Sequence, residues 1–183
     1  VMNVLRDASP FLQQVSIDEA FLDVSPTAHN HEDPIQVAVD IQRRVAELGI
    51  TCSIGLGVSK AVAKCASEAH KPRGVTAVMP GEEKAVLAAL PTKRMSGIGP
   101  VAQRELSAFG IHTLGEVTQA DEDVLLRIFG KSATMMRNRC LGADTDPVSA
   151  EREPAKSVGH EISFAENLTE REDLEAAIGT VAA

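Results

Sequence analysis

The chain has 183 residues, of which 44% are hydrophobic and 24% charged, a composition typical of a globular protein with one large or two small domains. Aromatic residues make up only 3%, with no Trp and no Tyr, which argues against nucleic-acid binding through stacked bases. The formal net charge of -8 is concentrated after residue 150, where 3 Lys or Arg face 8 Asp or Glu, so the nearly neutral remainder can still carry a local basic surface.

The sequence predicts a cytoplasmic protein that makes no contact with a membrane. No stretch approaches the roughly 18 apolar residues of a membrane span, and residues 1–6 lack the order of a signal peptide. The cysteines, Cys52, Cys65 and Cys140, are odd in number and form no Cys-x-x-Cys pair. They indicate neither a zinc site nor a disulfide framework, and we expect buried free thiols.

Residues 11–24, with the sequence FLQQVSIDEAFLDV, contain two short β-prone runs that meet at Asp18 and Glu19. This pattern predicts a β-hairpin that carries two acidic residues at its tip. Adjacent carboxylates repel each other, and neutralisation by a cation relieves that repulsion. Magnesium prefers hard oxygen ligands and often binds through one or two carboxylates plus substrate phosphates, so the pair is a candidate magnesium site. The alternative is an exposed acidic turn, because turns favour Asp.

Helices and strands alternate after the hairpin. The predicted elements are a helix from Pro34 to before Gly49, a strand at 50–57, a helix from Ser59 to about His70, and a strand at 75–79. Asp33 and Ser59 have side chains suited to capping the two helices, and Pro72 ends the second one. This order predicts an α+β fold with helices on one face of a mixed sheet.

Short helices separated by glycines follow. They are predicted at about 82–90, 99–108, 113–118, 121–129 and 131–141. Residues 143–156, with two prolines and many charges, are typical of a linker. An acidic helix at 170–182 follows it, which we interpret as the start of a truncated third domain. The predicted domains are therefore residues 1–74, 75–150 and 151–183.

The segment PTKRMSGIGPVAQRELSAFG at 91–110 has the pattern of a helix-hairpin-helix. Gly97 and Gly99 permit a tight turn and let the backbone approach a phosphate, which the N-terminus of the next helix attracts. Such a turn contacts the DNA backbone and carries no base specificity. The alternative is a purely structural helix junction, and Pro100 removes one amide donor from it.

Five motifs in this order resemble the Y-family lesion-bypass DNA polymerases over essentially the whole chain. They are SIDEAFLDV, SIGLGVSKAVAKCAS, KPRG, the GIG turn and KSVGHEISFAE. The resemblance implies a partial palm at 1–74, a thumb with the helix-hairpin-helix at 75–150, and the beginning of a little-finger domain. Ser59 stands where the family usually has Asn, and it retains the ability to cap the helix.

The resemblance also implies roles for individual residues. Asp18 and Glu19 would be catalytic ligands of two magnesium ions, and Lys71 of the KPRG turn would meet the triphosphate of the incoming nucleotide. The alternative for Lys71 is a structural position only, as the residue at which Pro72 ends the helix. The residues expected to bind the DNA backbone are Lys93, Arg94, Gly97, Ile98 and Gly99.

The implied activity is template-directed transfer of nucleotides from dNTP to a primer 3′-hydroxyl during translesion synthesis, by two-metal catalysis. The partners would be primed template DNA and dNTP, with any sliding clamp bound through regions outside this chain. In the family a third carboxylate and the fingers lie upstream, so we expect the chain alone to be catalytically incomplete. The alternatives are a truncated, non-catalytic DNA-binding or interaction module and a helix-hairpin-helix repair protein such as a glycosylase, but the latter leaves SIDEAFLDV unexplained.

The histidines do not suggest a further site. His29 and His31 lie in a polar loop without the third and fourth ligands that a zinc site needs, so we expect surface side chains. His70, His112 and His160 stand alone and have no apparent triad partner.

Overall fold

The computed structural model describes residues 1–25, 33–150, 159 and 161–182. Residues 1–151 form one compact unit and residues 152–183 form a second. Up to residue 77 the elements are α1 (Met2–Ala8), β1 (Leu12–Gln14), β2 (Ala20–Leu22), α2 (Pro34–Glu47), β3 (Ile54–Leu56), α3 (Lys60–Ser67) and β4 (Val75–Ala77). Their order from β1 onward agrees with the prediction. Helix α1 was not predicted, because its N-cap is Val1 and no side chain caps its first turn, so the sequence contains no signal for the start of a helix.

The α+β class is confirmed, but the four strands pair as two separate ladders and not as the single mixed sheet that we predicted. Strands β1 and β2 are antiparallel, and β3 and β4 are parallel. Both ladders pack on α2, where Leu22 of β2 and Ile54 of β3 contact a cluster formed by Val37, Ile41 and Val45. Side-chain burial thus places both ladders on one helix, although no hydrogen-bonded ladder joins them within the described residues.

The predicted punctuation of α2 is confirmed. The Asp33 carboxylate accepts a hydrogen bond from the Ile35 amide at 3.0 Å, and Pro34 occupies the first turn. After the helix, Gly49 adopts a φ of 77°, a left-handed conformation that costs glycine little. These two signals fix where the helix begins and ends.

Helix α3 lies against β3 at the closest backbone approach in this part of the fold. A Cβ added at Gly55 would lie 1.9 Å from the Ala63 carbonyl oxygen and 2.3 Å from the Ser67 amide nitrogen. Ser59 caps the helix as predicted, its hydroxyl accepting from the Val62 amide at 3.3 Å. The helix ends at Ser67, before the predicted end at His70.

The predicted short helices of the second half are present. They are α4 (Glu83–Ala88), α5 (Pro100–Ala108), α6 (Leu114–Gln119), α7 (Glu122–Phe129) and α8 (Ala133–Leu141), with single 3-10 turns at Thr92–Arg94 and Gly130–Ser132. Helix α6 begins with a capping box, in which Thr113 accepts from the Glu116 amide at 3.2 Å while the Glu116 carboxylate accepts from the Thr113 amide at 2.9 Å. Each element is short, so its stability depends on packing against the others.

Helix α3 and the helices α4 to α8 share one apolar core. Val62, Cys65 and Ala66 of α3 belong to the same buried cluster as residues from the later helices, among them Leu87, Leu106, Leu114, Leu125 and Met136. The expected boundary between residues 74 and 75 therefore lies inside one compact unit, and the division into a palm and a thumb stays a prediction. Burial raises the pKa of the Cys65 thiol to about 11 and that of Cys140 to about 12, as expected for buried free thiols, whereas Cys52 is half-buried.

Residues 143–150, the described part of the predicted linker, have no regular structure but pack against α3. The Lys60 ammonium lies 2.7 Å from the Asp146 carboxylate and donates to the Pro147 carbonyl at 2.9 Å. The Asp144 carboxylate accepts from the Ala61 amide, at the N-terminus of α3, at 3.4 Å. This part of the linker is thus held on the first unit.

The second unit contains α9 (Arg171–Ala182), which matches the predicted acidic helix. Residues 156–158 and 160 of the KSVGHEISF motif lie outside the described residues, as do His29 and His31. None of the helices in the described ranges has the length and apolar character needed to cross a membrane.

Candidate functional site

Asp18 and Glu19 lie in the exposed loop that joins β1 to β2, as the sequence predicts. Ser16 shapes this loop, because its hydroxyl donates to the Asp18 carboxylate at 2.5 Å and accepts from the Glu19 amide at 3.1 Å. The backbone closes the turn through the Val15 amide, which donates to the Glu19 carbonyl at 2.9 Å. The two carboxylates are therefore presented to solvent by a loop with its own internal hydrogen bonds.

The charge state of Asp18 follows from these contacts. The Ser16 hydroxyl, which donates to the carboxylate, holds the pKa of Asp18 below its ordinary value, and the Asp18 amide and the charges of Lys64 and Lys71 act in the same direction. A hydrogen bond to the charged form favours that form. At neutral pH the hairpin tip therefore presents an ionised Asp18.

Helix α3 and the turn after it bring cations to the hairpin tip. Lys64, on the same helix as the Ser59 cap, forms an ion pair with Glu19. Lys71 follows the end of α3, and its ammonium lies 2.5 Å from the Glu68 carboxylate. The close packing of α3 on β3 thus sets basic side chains beside the predicted catalytic acids.

Glu68 is the site residue that the sequence analysis missed. One of its oxygens lies 2.5 Å from Lys71 and 3.8 Å from Lys64, and the other lies 3.7 Å from Arg94 of the first 3-10 turn. The spacing from Lys64 to Glu68 and from Glu68 to Lys71 is four and three residues, the helical spacing of ion pairs, and this was the available signal. Glu68 joins residues from both predicted domains in one charged cluster.

The structure brings four of the predicted site residues into this cluster. Asp18 and Glu19 approach it from the hairpin, Lys71 from the turn after α3, and Arg94 from the first 3-10 turn. Lys93, in the same 3-10 turn, is exposed. The cluster contains three carboxylates and three cations, so its members are largely neutralised by each other.

The GIG turn is not part of this charged cluster and lies at the N-terminus of α5. Gly97 has a φ of 96°, a left-handed conformation that favours glycine, and an added Cβ would lie 2.9 Å from the end of the flexible Met136 side chain. Ile98 is buried and its amide donates to the Met95 carbonyl at 3.1 Å, so it anchors the turn from inside. Gly99 is the N-cap of α5 and Pro100 its first residue, and no side chain caps this end.

The residues at the hairpin tip have the chemistry of a magnesium site, with two exposed carboxylates of which Asp18 is held ionised. No group of three or more His, Cys, Asp or Glu suited to a metal occurs within the ranges that the structure describes. Of the described histidines, His70 has a ring nitrogen 2.9 Å from the Thr76 hydroxyl, and the backbone amide of His112 donates to the Glu116 carboxylate at 2.7 Å.

Comparison with known proteins gives a consistent result. Residues 1–68 match the model of the impB/mucB/samB family. The DNA polymerase IV of Moorella thermoacetica is 34% identical over 180 residues, covering 97% of this chain and 45% of the relative. That of Dehalococcoides mccartyi is 39% identical over 176 residues, covering 96% and 45%. That of Escherichia coli O9:H4 is 36% identical over 168 residues, covering 91% and 48%.

Solved structures agree. A post-insertion binary complex of Dbh DNA polymerase has a TM-score of 0.73 at 31% identity, covering 80% of this chain and 44% of that one. A Y-family DNA polymerase chimera has a TM-score of 0.74 at 30% identity, covering 82% and 45%. The chain spans about half the length of the curated relatives that it matches. Over that length, its sequence and fold are similar to those of Y-family DNA polymerases of the DNA polymerase IV type.

Proposed function

We propose that this chain is the part of a translesion DNA polymerase that carries two of its catalytic carboxylates, for nucleotide transfer from dNTP to a primer 3′-hydroxyl. The observation that carries the proposal is the hairpin tip, where Asp18 and Glu19 are exposed beside Lys64 and Lys71. Carboxylates that attract metal ions and an adjacent lysine that attracts phosphate are what phosphoryl transfer requires.

Asp18 and Glu19 would hold two magnesium ions together with the triphosphate. Bound magnesium supplies charge stabilisation for the attacking and leaving oxygens. The chain's own contribution is to keep Asp18 ionised through Ser16 and to hold both carboxylates on a short hairpin. Lys71, within the same charged cluster, would meet the triphosphate.

The DNA contacts would come from the turn before α5. Lys93 and Arg94 supply positive charge, and the uncapped N-terminus of α5 after Gly97 and Gly99 offers free amides to a phosphate. Ile98 would act indirectly, by anchoring the turn in the core. The partners would then be primed template DNA and dNTP, in a cytoplasmic, nucleoid-associated protein whose clamp contacts lie outside this chain.

The decisive test replaces Asp18 with Asn and Glu19 with Gln, one at a time, in a version completed with the remaining segments of a DNA polymerase IV relative. Each change removes a charge that the metal ions need, so we expect primer extension to fall about 10³-fold. Glu47→Gln is the control, because Glu47 pairs only with Arg43 among the described contacts and lies on the exposed face of α2. Near-normal extension by both site variants would refute the assignment.

A non-catalytic DNA-binding module is the second candidate, favoured by the uncapped start of α5 beside Lys93 and Arg94. On either candidate the 183-residue chain should bind duplex DNA regardless of sequence, and Lys93→Ala should reduce the slope of log affinity against log salt by about one. Lys84→Ala, which removes an equally exposed charge from α4, should leave the slope unchanged. Fluorescence anisotropy with duplexes of different sequence measures this, and strong preference for one sequence would contradict the backbone-binding role.

A further inference from the structure

Glu68 occupies a position that the proposed reaction does not yet explain. Its carboxylate contacts three cations on two sides: Lys71 and Lys64 at one oxygen, and Arg94 at the other. Its side chain is 25% exposed, so the ion pairs are only partly screened by water. The pKa of Glu68 lies below its ordinary value, first because Lys71 donates to it, so the carboxylate is charged at neutral pH.

We propose that Glu68 is a positioning residue that holds Lys71 and Arg94 beside the hairpin tip and that it competes with the nucleotide triphosphate for Lys71. This inference rests on the proposed function, because it assigns the counter-ion that Lys71 exchanges when nucleotide binds. The Lys71 ammonium lies 2.5 Å from the Glu68 carboxylate, in direct ion-pair contact. An incoming phosphate oxygen must replace this partner.

The arrangement of charges explains why such an exchange is useful. Lys64 lies between Glu19 and Glu68, so carboxylates and ammonium groups alternate from the hairpin to Lys71. Without Glu68, Lys71 would have no carboxylate partner among the described contacts, and its flexible side chain would take many rotamers. A fixed Lys71 approaches the triphosphate from one direction, at the cost of weaker phosphate binding.

The ion pair with Arg94 makes Glu68 a link between the two predicted domains. Arg94 belongs to the 3-10 turn at Thr92–Arg94, whereas Glu68 directly follows α3. The Cys65 thiol also donates to the Arg94 carbonyl, at 3.5 Å, so the backbone of this turn is held on α3 as well. Glu68 therefore orients one side chain predicted to bind nucleotide and one predicted to bind DNA.

The test measures the position of the Lys71 side-chain resonance by NMR of ¹³C-methylated lysines in the whole 183-residue chain. Lys71→Arg removes one resonance and so assigns it. We expect Glu68→Gln to move the Lys71 resonance toward that of an exposed lysine, and Glu68→Asp to leave it near its original position. Glu47→Gln, which removes an equivalent charge from the surface pair with Arg43, should not move it. An unmoved Lys71 resonance in a folded Glu68→Gln chain would overturn the proposal.

Competition is measured by adding inorganic triphosphate to the same proteins and following the Lys71 resonance. The Glu68 carboxylate competes with triphosphate for Lys71 through a partly exposed ion pair. Glu68→Gln removes this competitor, so we expect the variant to bind inorganic triphosphate about two- to fivefold more tightly than the unchanged chain. Equal or weaker binding, or no response of Lys71 in any variant, would overturn the proposal. Failure of the proposed function would show separately, as primer extension that survives the Asp18 and Glu19 substitutions.

Discussion

A single hydroxyl group determines the shape of the hairpin tip. The Ser16 side chain bonds the Asp18 carboxylate and the Glu19 amide, so a residue without charge orients two charged ones. This contact is local, within three residues, which explains why a short motif can present both carboxylates. The neighbouring Ile17 is 93% exposed and contributes nothing to the core.

Gly55 lies at a position where the fold leaves no room for a side chain. Gly55→Ala would drive a methyl group into the backbone of α3 at Ala63 and Ser67, and we expect it to lower the free energy of unfolding by about 3 kcal/mol. Urea unfolding followed by circular dichroism measures this. Gly179→Ala is the control, because a Cβ there meets nothing within 4 Å and alanine favours a helix. Equal stability of the two variants would contradict the close packing of β3 on α3.

At the scale of elements, side-chain caps explain where three of the helices begin. Asp33, Ser59 and Thr113 each bond an amide of the helix that they precede. Strands are less well determined locally: the predicted strand at 50–57 shortens to Ile54–Leu56, because only those residues find a hydrogen-bonded partner in β4. Pairing across the chain decides a strand's length, whereas capping next to the helix decides a helix's start.

The contacts of Lys60 with Asp146 and Pro147 should control the order of residues 143–149. Lys60→Met keeps the apolar stem but removes the ammonium that contacts Asp146 and Pro147, so we expect amide exchange in 143–149 to accelerate about tenfold. Hydrogen exchange with mass spectrometry measures it. Lys84→Met, an exposed position on α4, should have no effect. Unchanged exchange in the Lys60 variant would mean that other contacts hold the segment.

At the scale of the whole molecule, the shared core links the proposed catalytic site to the turn that we propose binds DNA. Helix α3 carries Lys64 at the hairpin tip on one side and packs Val62 and Cys65 into the core of the later helices on the other. A shift of α3 would therefore move the charged cluster and the turn at Thr92–Arg94 together. The predicted palm and thumb depend on each other for burial within residues 1–151.

We expect the 183-residue chain alone not to extend a primer. Two-metal transfer needs enough negative ligands to hold both ions about 4 Å apart, and the described tip offers Asp18 and Glu19. Loss of positioning alone lowers such rates by several powers of ten. The measurement compares primer extension by this chain with that by a version joined to the upstream segment of a DNA polymerase IV relative. Comparable extension by both proteins would contradict the expectation.

The sequence by itself determined the hairpin with Asp18 and Glu19 at its tip, the capped helices, and the family resemblance. These features depend on residues close together along the chain, where spacing and capping chemistry are sufficient. The tertiary structure alone decided that the strands form two ladders on α2, that Glu68 contacts Lys64, Lys71 and Arg94, and that Asp146 and Pro147 contact Lys60. Each of these involves contacts between distant segments or exposed ion pairs, for which no local pattern specifies the partner.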